Sequence, residues 1–385
     1  MVAEKVRVIG GTVEVADLKR ALNLFTKVIR ETPIVPILDN VLFHFELGTL
    51  HLTASNLITT VFTSIQEVDF CKTGSFLLPY RQIKSLVALS PEGRMAFQSK
   101  GTEEDGFEMI ITTEWGEFHF SEQHKVIDYP KLSWSPIEHF RIGMDELREG
   151  LKLTRRTVST DDLRPAMTGI YFDIAEGSIK LVSTDGHRLT KYETNAPATE
   201  TILPFLLHAN FADFVLHSTS LKDKEVSFGY RSGNAIVRFE NCIVLCRCID
   251  AFFYNYKEVM PQSFLFQVSL DIAQVKQRLQ LAMLFANTTT KQMAFEFSGD
   301  SLSLSSEDLD YGFKSKQSLR LEQALEPLKI GFNAKFVTQA LAPFSGSVTM
   351  QLSAPNKPVI LIPQAKHAKS VQLLLMPVML GHPYQ

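Results

Sequence analysis

No apolar run in this 385-residue sequence approaches the ~18 residues that a membrane-spanning helix needs. The longest, Ile202–Leu207 and Leu373–Leu380, are short, and each carries a proline. The amino-terminal stretch Met1-Val-Ala-Glu-Lys-Val-Arg7 alternates charged and apolar residues and lacks the apolar centre of a secretion signal. The chain is therefore expected to be soluble and cytoplasmic. Cysteine is scarce: there are four, and three of them (Cys242, Cys246, Cys248) share one face of an apolar, strand-like run. Their C-x3-C-x-C spacing lacks the ligand pattern and the histidine pair of a zinc site, so they read as small buried hydrophobes, and no metal or cofactor is expected. No charge sign dominates, since 39 Lys and Arg face 42 Asp and Glu for a net charge of −3. That argues against a protein that grips phosphates tightly over its whole surface. Gly10-Gly11 stands alone, so there is no glycine-rich phosphate loop.

Apolar material is plentiful. Hydrophobic residues make up 45% of the chain, with 28 phenylalanines, enough for several cores. A chain of this length exceeds what one core usually serves. Three segments share a helical pattern with an acid near the start and apolar residues four apart: Asp17–Leu22, Asp145–Leu151 and Asp271–Leu279. Acids at a helix start complement its dipole. In each case alternating strands follow. They are Val41–Phe45 with Leu50–Thr53, Gly169–Asp173 with Ile179–Ser183, and Met293–Phe297 with Leu302–Ser305, each pair reading as a hairpin. A second helix is expected near Pro79, Pro204 and Asn333, before more strands close the repeat. The order helix, strands, helix, strands recurs three times, which predicts an α+β protein of three similar domains. Proline-rich joints place the domains at 1–134, 135–260 and 261–385.

The six expected helices together carry a net charge of +7 and the remaining chain −10. Mildly basic helices lining one surface would attract phosphates without holding them firmly.

The residues also resemble one family: the bacterial DNA polymerase III β subunit, the replicative sliding clamp. The resemblance rests on Asp162-Leu-Arg-Pro-Ala-Met-Thr-Gly-Ile-Tyr-Phe-Asp173, Leu181-Val-Ser-Thr-Asp-Gly-His-Arg-Leu189 and Val259-Met-Pro261. Ile330-Gly-Phe-Asn333 and Leu374-Leu-Met-Pro-Val-Met-Leu380 continue it, with Thr32–Leu38 and Asp128-Tyr-Pro130 in the first repeat. It implies a clamp fold in which two subunits close head to tail into a ring around duplex DNA, with no catalytic activity of its own. The implied partners are DNA, a second copy, the polymerase III catalytic subunit, the clamp loader and other proteins bearing short clamp-binding peptides. Implied DNA contacts are Arg81 and Arg164, and helix charge adds Lys19, Arg20, Lys152, Arg155 and Arg156. The implied subunit contact pairs Phe118 and Phe120 with Leu284 and Phe285. The implied peptide cleft comprises Met167, Thr184, Gly186, His187, Arg188, Leu189, Val259, Met260, Pro358, Leu375, Met376, Pro377 and Val378.

The sequence departs from the family at Ala251 and Tyr254, where glycine and proline are usual. Tyr254 is expected to add an aromatic edge to the cleft, and Gly381–Gln385 to lie across it. A competing reading makes Asp185 and His187 catalytic in a hydrolase or nucleotidyltransferase. No nucleophile or ligand set accompanies them, so the favoured reading is a turn buttressed by hydrogen bonds.

Overall fold

The computed structural model describes residues 9–29, 35–102, 106–130, 137–175, 177–195, 204–364 and 371–380. Among these residues there are seven α-helices: α1 (Val15–Leu24), α2 (Tyr80–Leu89), α3 (Met144–Thr154), α4 (Ala209–His217), α5 (Tyr256–Val259), α6 (Ile272–Met283) and α7 (Ala334–Leu341). Six correspond to the expected helices, one of them starting later than expected, and the single turn α5 is an addition. The acids at the helix starts do two different jobs. Asp17 and Asp145 sit inside the first turns of α1 and α3. Asp271 caps α6 instead, its carboxylate accepting the Gln274 amide at 2.7 Å, and Asn333 caps α7 through the Lys335 amide at 3.0 Å.

The chain divides into two compact units. One comprises Met1–Arg148, Ala196–Ile202 and Leu207–Ile249, and the other Glu149–Asn195, Leu203–Leu206 and Asp250–Gln385.

The first unit contains two antiparallel sheets. Five strands run in the order Asp69–Lys72, Gly10–Glu14, Arg94–Thr102, Gly106–Thr113, Gly116–Ser121. Eight run in the order Phe140–Gly143, Glu225–Arg231, Asn234–Arg238, Cys242–Arg247, Thr59–Ile65, Thr49–Ser55, Asn40–Glu46, Gly74–Pro79. Strands of the second repeat thus extend the sheet of the first through the ladder Cys242↔Thr63 to Cys246↔Thr59. Phe43 and Phe45 meet Phe97 of the smaller sheet with ring centres 5.8 and 5.9 Å apart. All three are essentially buried, and each such side chain contributes about 1.5–3 kcal/mol of burial free energy. Burial also pushes the thiols of Cys246 and Cys248 up to about 12 and raises that of Cys242, as expected for structural cysteines.

In the second unit an eight-stranded sheet runs Phe205–His208, Gly169–Ala175, Ser178–Thr184, Arg188–Asn195, Val371–Leu375, Val359–Pro363, Ser347–Leu352, Phe266–Asp271. A long two-stranded ladder pairs Gln292–Asp308 with Phe313–Asn333.

Two expectations are corrected here. Pro204 does not start a helix. It precedes the strand Phe205–His208, and α4 begins at Ala209. Extended backbone lets Phe205 stack on Phe172 at 5.1 Å. The expected hairpin between Met293–Phe297 and Leu302–Ser305 is a single strand, interrupted in register on both sides of Gly299. Its partner is long enough to pair with both halves, so tertiary pairing overrides a local turn signal.

Candidate functional site

The most specific motif, Thr184-Asp-Gly-His-Arg-Leu189, folds as a tight turn between the strands Ser178–Thr184 and Arg188–Asn195. Thr184 Oγ1 accepts the Gly186 amide at 3.1 Å and donates to the Arg188 carbonyl at 2.7 Å. Asp185 Oδ1 accepts the amides of His187 and Arg188 at 3.0 and 2.8 Å. Its Oδ2 accepts both Nε and Nη2 of Arg188, at 3.0 and 2.8 Å. Four hydrogen bonds therefore occupy the Asp185 carboxylate.

Arg188 is the centre of the turn. It is only 8% exposed, and its guanidinium also reaches Gln339 Oε1 at 2.7 Å and the Arg156 carbonyl at 3.3 Å. It lies 4.7 Å from the centre of the Phe336 ring, on which His187 stacks at 5.4 Å. A buried charge is tolerable when it is paired and hydrogen-bonded, and this one is paired with Asp185 and makes four hydrogen bonds. Asp185 and His187 thus work as turn residues, and the hydrolase reading finds no support in their geometry.

The closing segment is tied to this turn. Arg188 pairs with Leu375 and Leu189 with Leu374 in an antiparallel ladder, and the Met376 amide donates to the His187 carbonyl at 2.9 Å. Two residues on, the Val378 amide donates to the Gly331 carbonyl at 2.8 Å. A Cβ at position 331 would lie 2.4 Å from the Val378 carbonyl oxygen, so only glycine admits this approach. Gly186, at φ +86°, leaves the floor of the turn open; a Cβ there would meet Arg164 Nη1 at 3.2 Å and Met167 Cε at 3.8 Å. Arg164 is itself held by Asp161 at 2.7 Å, a hydrogen bond that keeps the Asp161 carboxyl below the usual range.

Met167, Thr184, Gly186, His187, Arg188, Leu189, Leu375, Met376 and Val378 are therefore brought together, with Pro377 between the last two. Pro358 adjoins Val359, which pairs with Leu375. Tyr254, just before α5, and Val259, at its end, are both half exposed. Met260 instead lines a neighbouring cavity with Lys180 and Lys191. Residues Gly381–Gln385 lie outside the described residues.

The other expected residues fall as follows. Lys19 and Arg20 are exposed on α1, Arg20 paired with Asp17. Arg81 is exposed on α2, and Lys152 and Arg156 are exposed around the end of α3, with Arg155 half-buried. Much helix charge is engaged in packing: Lys84 bonds Thr26 at 2.7 Å, and Lys276 bonds the carbonyls of Ala342 and Phe344 at 3.2 and 2.8 Å. Phe118 and Phe120 share a face of the edge strand Gly116–Ser121. Leu284 and Phe285 follow α6, 73% and 40% exposed. The sequence reading missed Phe313, whose ring meets Phe285 at 6.3 Å and stacks on Tyr311 at 5.7 Å. Its alternation with charged residues gave no sign of a cluster.

Among the described residues no group of three or more His, Cys, Asp and Glu side chains is placed to hold a metal ion, and no helix is long and apolar enough to cross a membrane.

Known proteins share both the sequence pattern and the fold. The family model for the central domain of the DNA polymerase III beta subunit matches residues 141–255, and that for its C-terminal domain matches residues 257–379. The beta sliding clamp of Synechococcus elongatus is 24% identical over 376 residues, covering 94% of this chain and 97% of that protein. The Haemophilus influenzae beta sliding clamp is 21% identical, with 84% and 87% covered. The crystal structure of the Thermotoga maritima DNA polymerase III beta subunit superposes with a TM-score of 0.86 at 20% identity, covering 97% of this chain and all of that one. A Pseudomonas aeruginosa sliding clamp bound to griselimycin gives 0.87 at 18% identity, with the same coverage. With its turn, its closing segment and both domain patterns in family order, this chain belongs to the DNA polymerase III beta subunits.

Proposed function

We propose that this chain is a DNA sliding clamp, in which two copies close head to tail around duplex DNA. The ring tethers the replicative polymerase and other DNA-processing proteins for processive synthesis. The observation that carries this reading is the bonding of the Thr184–Arg188 turn to the Leu375–Val378 segment. It makes a glycine-floored, methionine-lined surface suited to short, extended peptides from differing partners. Each copy comprises three clamp domains, 1–134, 135–260 and 261–385. Topological retention explains how a chain of net charge −3 serves DNA: the ring holds by closure, while tight phosphate contacts would impede sliding. Arg81, Arg164, Lys19, Arg20, Lys152, Arg155 and Arg156 supply the modest phosphate attraction. Phe118 and Phe120 of one copy meet Leu284 and Phe285 of the next. The protein performs no catalytic step and works in the cytoplasm, where its DNA lies.

Analytical ultracentrifugation combined with retention on circular DNA tests the reading. A dimer that stays on loaded circular DNA and is lost when the circle is cut is the expected result. A monomer, or tight and salt-insensitive binding to a short linear duplex, overturns it.

A further inference from the structure

Beside the cleft, the outer face of the second unit's sheet carries a row of charges in a hollow. The hollow has a volume of about 340 Å³, and Lys180, Lys191 and Lys257 reach it over a floor that includes Met260 and Ile360. The two strand lysines are largely covered, each with 20% of its side chain exposed. Both lean on one carboxylate: Glu193 lies 3.6 Å from Lys180 and 3.1 Å from Lys191. Lys257 pairs with Asp173 at 3.0 Å, and Asp173 also accepts the Tyr256 hydroxyl at 2.6 Å. Three cations thus share two anions. The surplus positive charge sits where two lysines are partly desolvated, and there an added anion is held more strongly than on open surface. Gln372 accepts from Lys191 at 3.3 Å, and Gln262 and Gln351 border the hollow, so donors are at hand for a carboxylate.

The hollow lies on the same pair of strands as the cleft. Lys191 faces Gln372 on the same two strands that pair Arg188 with Leu375, three pairs further along, or roughly 10 Å at the usual rise. Leu189 and Leu374 share its face of the sheet.

We propose that this hollow takes the acidic side chains flanking the apolar anchor of a bound partner peptide, so that the clamp favours peptides with Asp or Glu beside the anchor. The inference rests on the cleft reading above. Non-specific attraction is no rival, because the chain as a whole is negative and repels acidic peptides at long range.

The test is a set of fluorescence anisotropy titrations of the full chain with three peptides. All carry a Gln followed by a terminal-type Leu-Phe anchor. One has serine flanks, one has glutamates before the anchor, and one has glutamates after it. The proteins are the wild type and the double variant Lys191→Gln with Lys257→Gln. One acidic peptide is expected to bind the wild type about fivefold tighter than the serine peptide at low salt, in line with a partly exposed ion pair. That gain disappears in the double variant and at high salt, while the serine peptide binds both proteins equally. Serine-peptide binding with no acidic gain, or a gain that survives the double variant, overturns the proposal and leaves the cleft reading standing. Failure of all three peptides to bind the wild type overturns both.

Discussion

The turn Thr184–Arg188 and the edge strand Gly116–Ser121 are both surface features, yet their polar groups have opposite fates. In the turn nearly every donor and acceptor is used internally, around an arginine that is almost wholly buried. In the edge strand one side pairs with Gly106–Thr113 and the other is the border of the sheet. Five of its six residues are exposed, and Phe118 and Phe120 share one face. A finished surface holds its shape whether or not anything docks. An unfinished one holds unpaired backbone groups and aromatic rings that only another chain completes. The difference predicts a prebuilt peptide site and a partner-dependent edge.

Breaking the finished surface is expected to cost most. Arg188→Leu leaves Asp185 without its charge partner and is expected to lower stability by about 3 kcal/mol, read as a shift in the denaturant midpoint. A change within experimental scatter would mean that the turn is not built around that arginine. Gly331→Ala comes next. Its methyl drives against the Val378 carbonyl, with an expected loss of about 1–3 kcal/mol and weaker peptide binding as the closing segment shifts. Met376→Ala keeps the fold and is expected to weaken the anchor peptide several-fold without dissociating the dimer, as isothermal titration and sedimentation together would show. By contrast, Leu284→Asp with Phe285→Asp is expected to cost the isolated subunit only about 0.5–1.5 kcal/mol, the worth of the Phe285 contact with Phe313, while sedimentation changes from dimer to monomer. A dimer that persists in that variant places the seam elsewhere.

The smallest effect sets the background for the edge. Burial, then the neighbouring His44, lowers the His51 pKa, against a raising influence from Glu46. The folded state therefore resists protonating His51 more than the unfolded state does. Stability of the first unit is expected to fall as pH drops from about 6.5, the ordinary histidine value, through the lowered value. His51→Gln should flatten that slope in thermal scans between neutral and mildly acidic pH. An unchanged slope would assign the acid sensitivity to other groups.

How much of this was legible in the sequence depends on the range of the interactions. The first helix of each repeat was, because apolar spacing and an acid near the start are local signals. The turn was as well, since Thr184, Asp185 and Gly186 bond mainly within five residues. Ser298-Gly-Asp-Ser301 misled, because a long partner strand overrode a sound local turn signal. Pro204 misled for a similar reason, as the contact that holds Phe205 extended lies in another strand. The lysine hollow was invisible: Lys180, Lys191 and Lys257 are scattered in sequence, and only the pairing of the strands gathers them. Arg164 was read as a DNA contact, while nothing in the sequence placed it beside Gly186.

The order of strands in the second sheet also bears on how the chain is made. Lys191 and its partner Gln372 are 181 residues apart, yet their strands lie side by side. At about 5–20 residues per second on the ribosome, the first strand waits roughly 10–40 s for its neighbour. Through that interval Arg188–Asn195 is a bare sheet border in a crowded cell, open to pairing with any other nascent chain. Lys191 and Glu193, charged residues midway along it, act as gatekeepers against that fate. The same lysine thus guards the strand during synthesis and stands at the rim of a binding hollow once the sheet is closed.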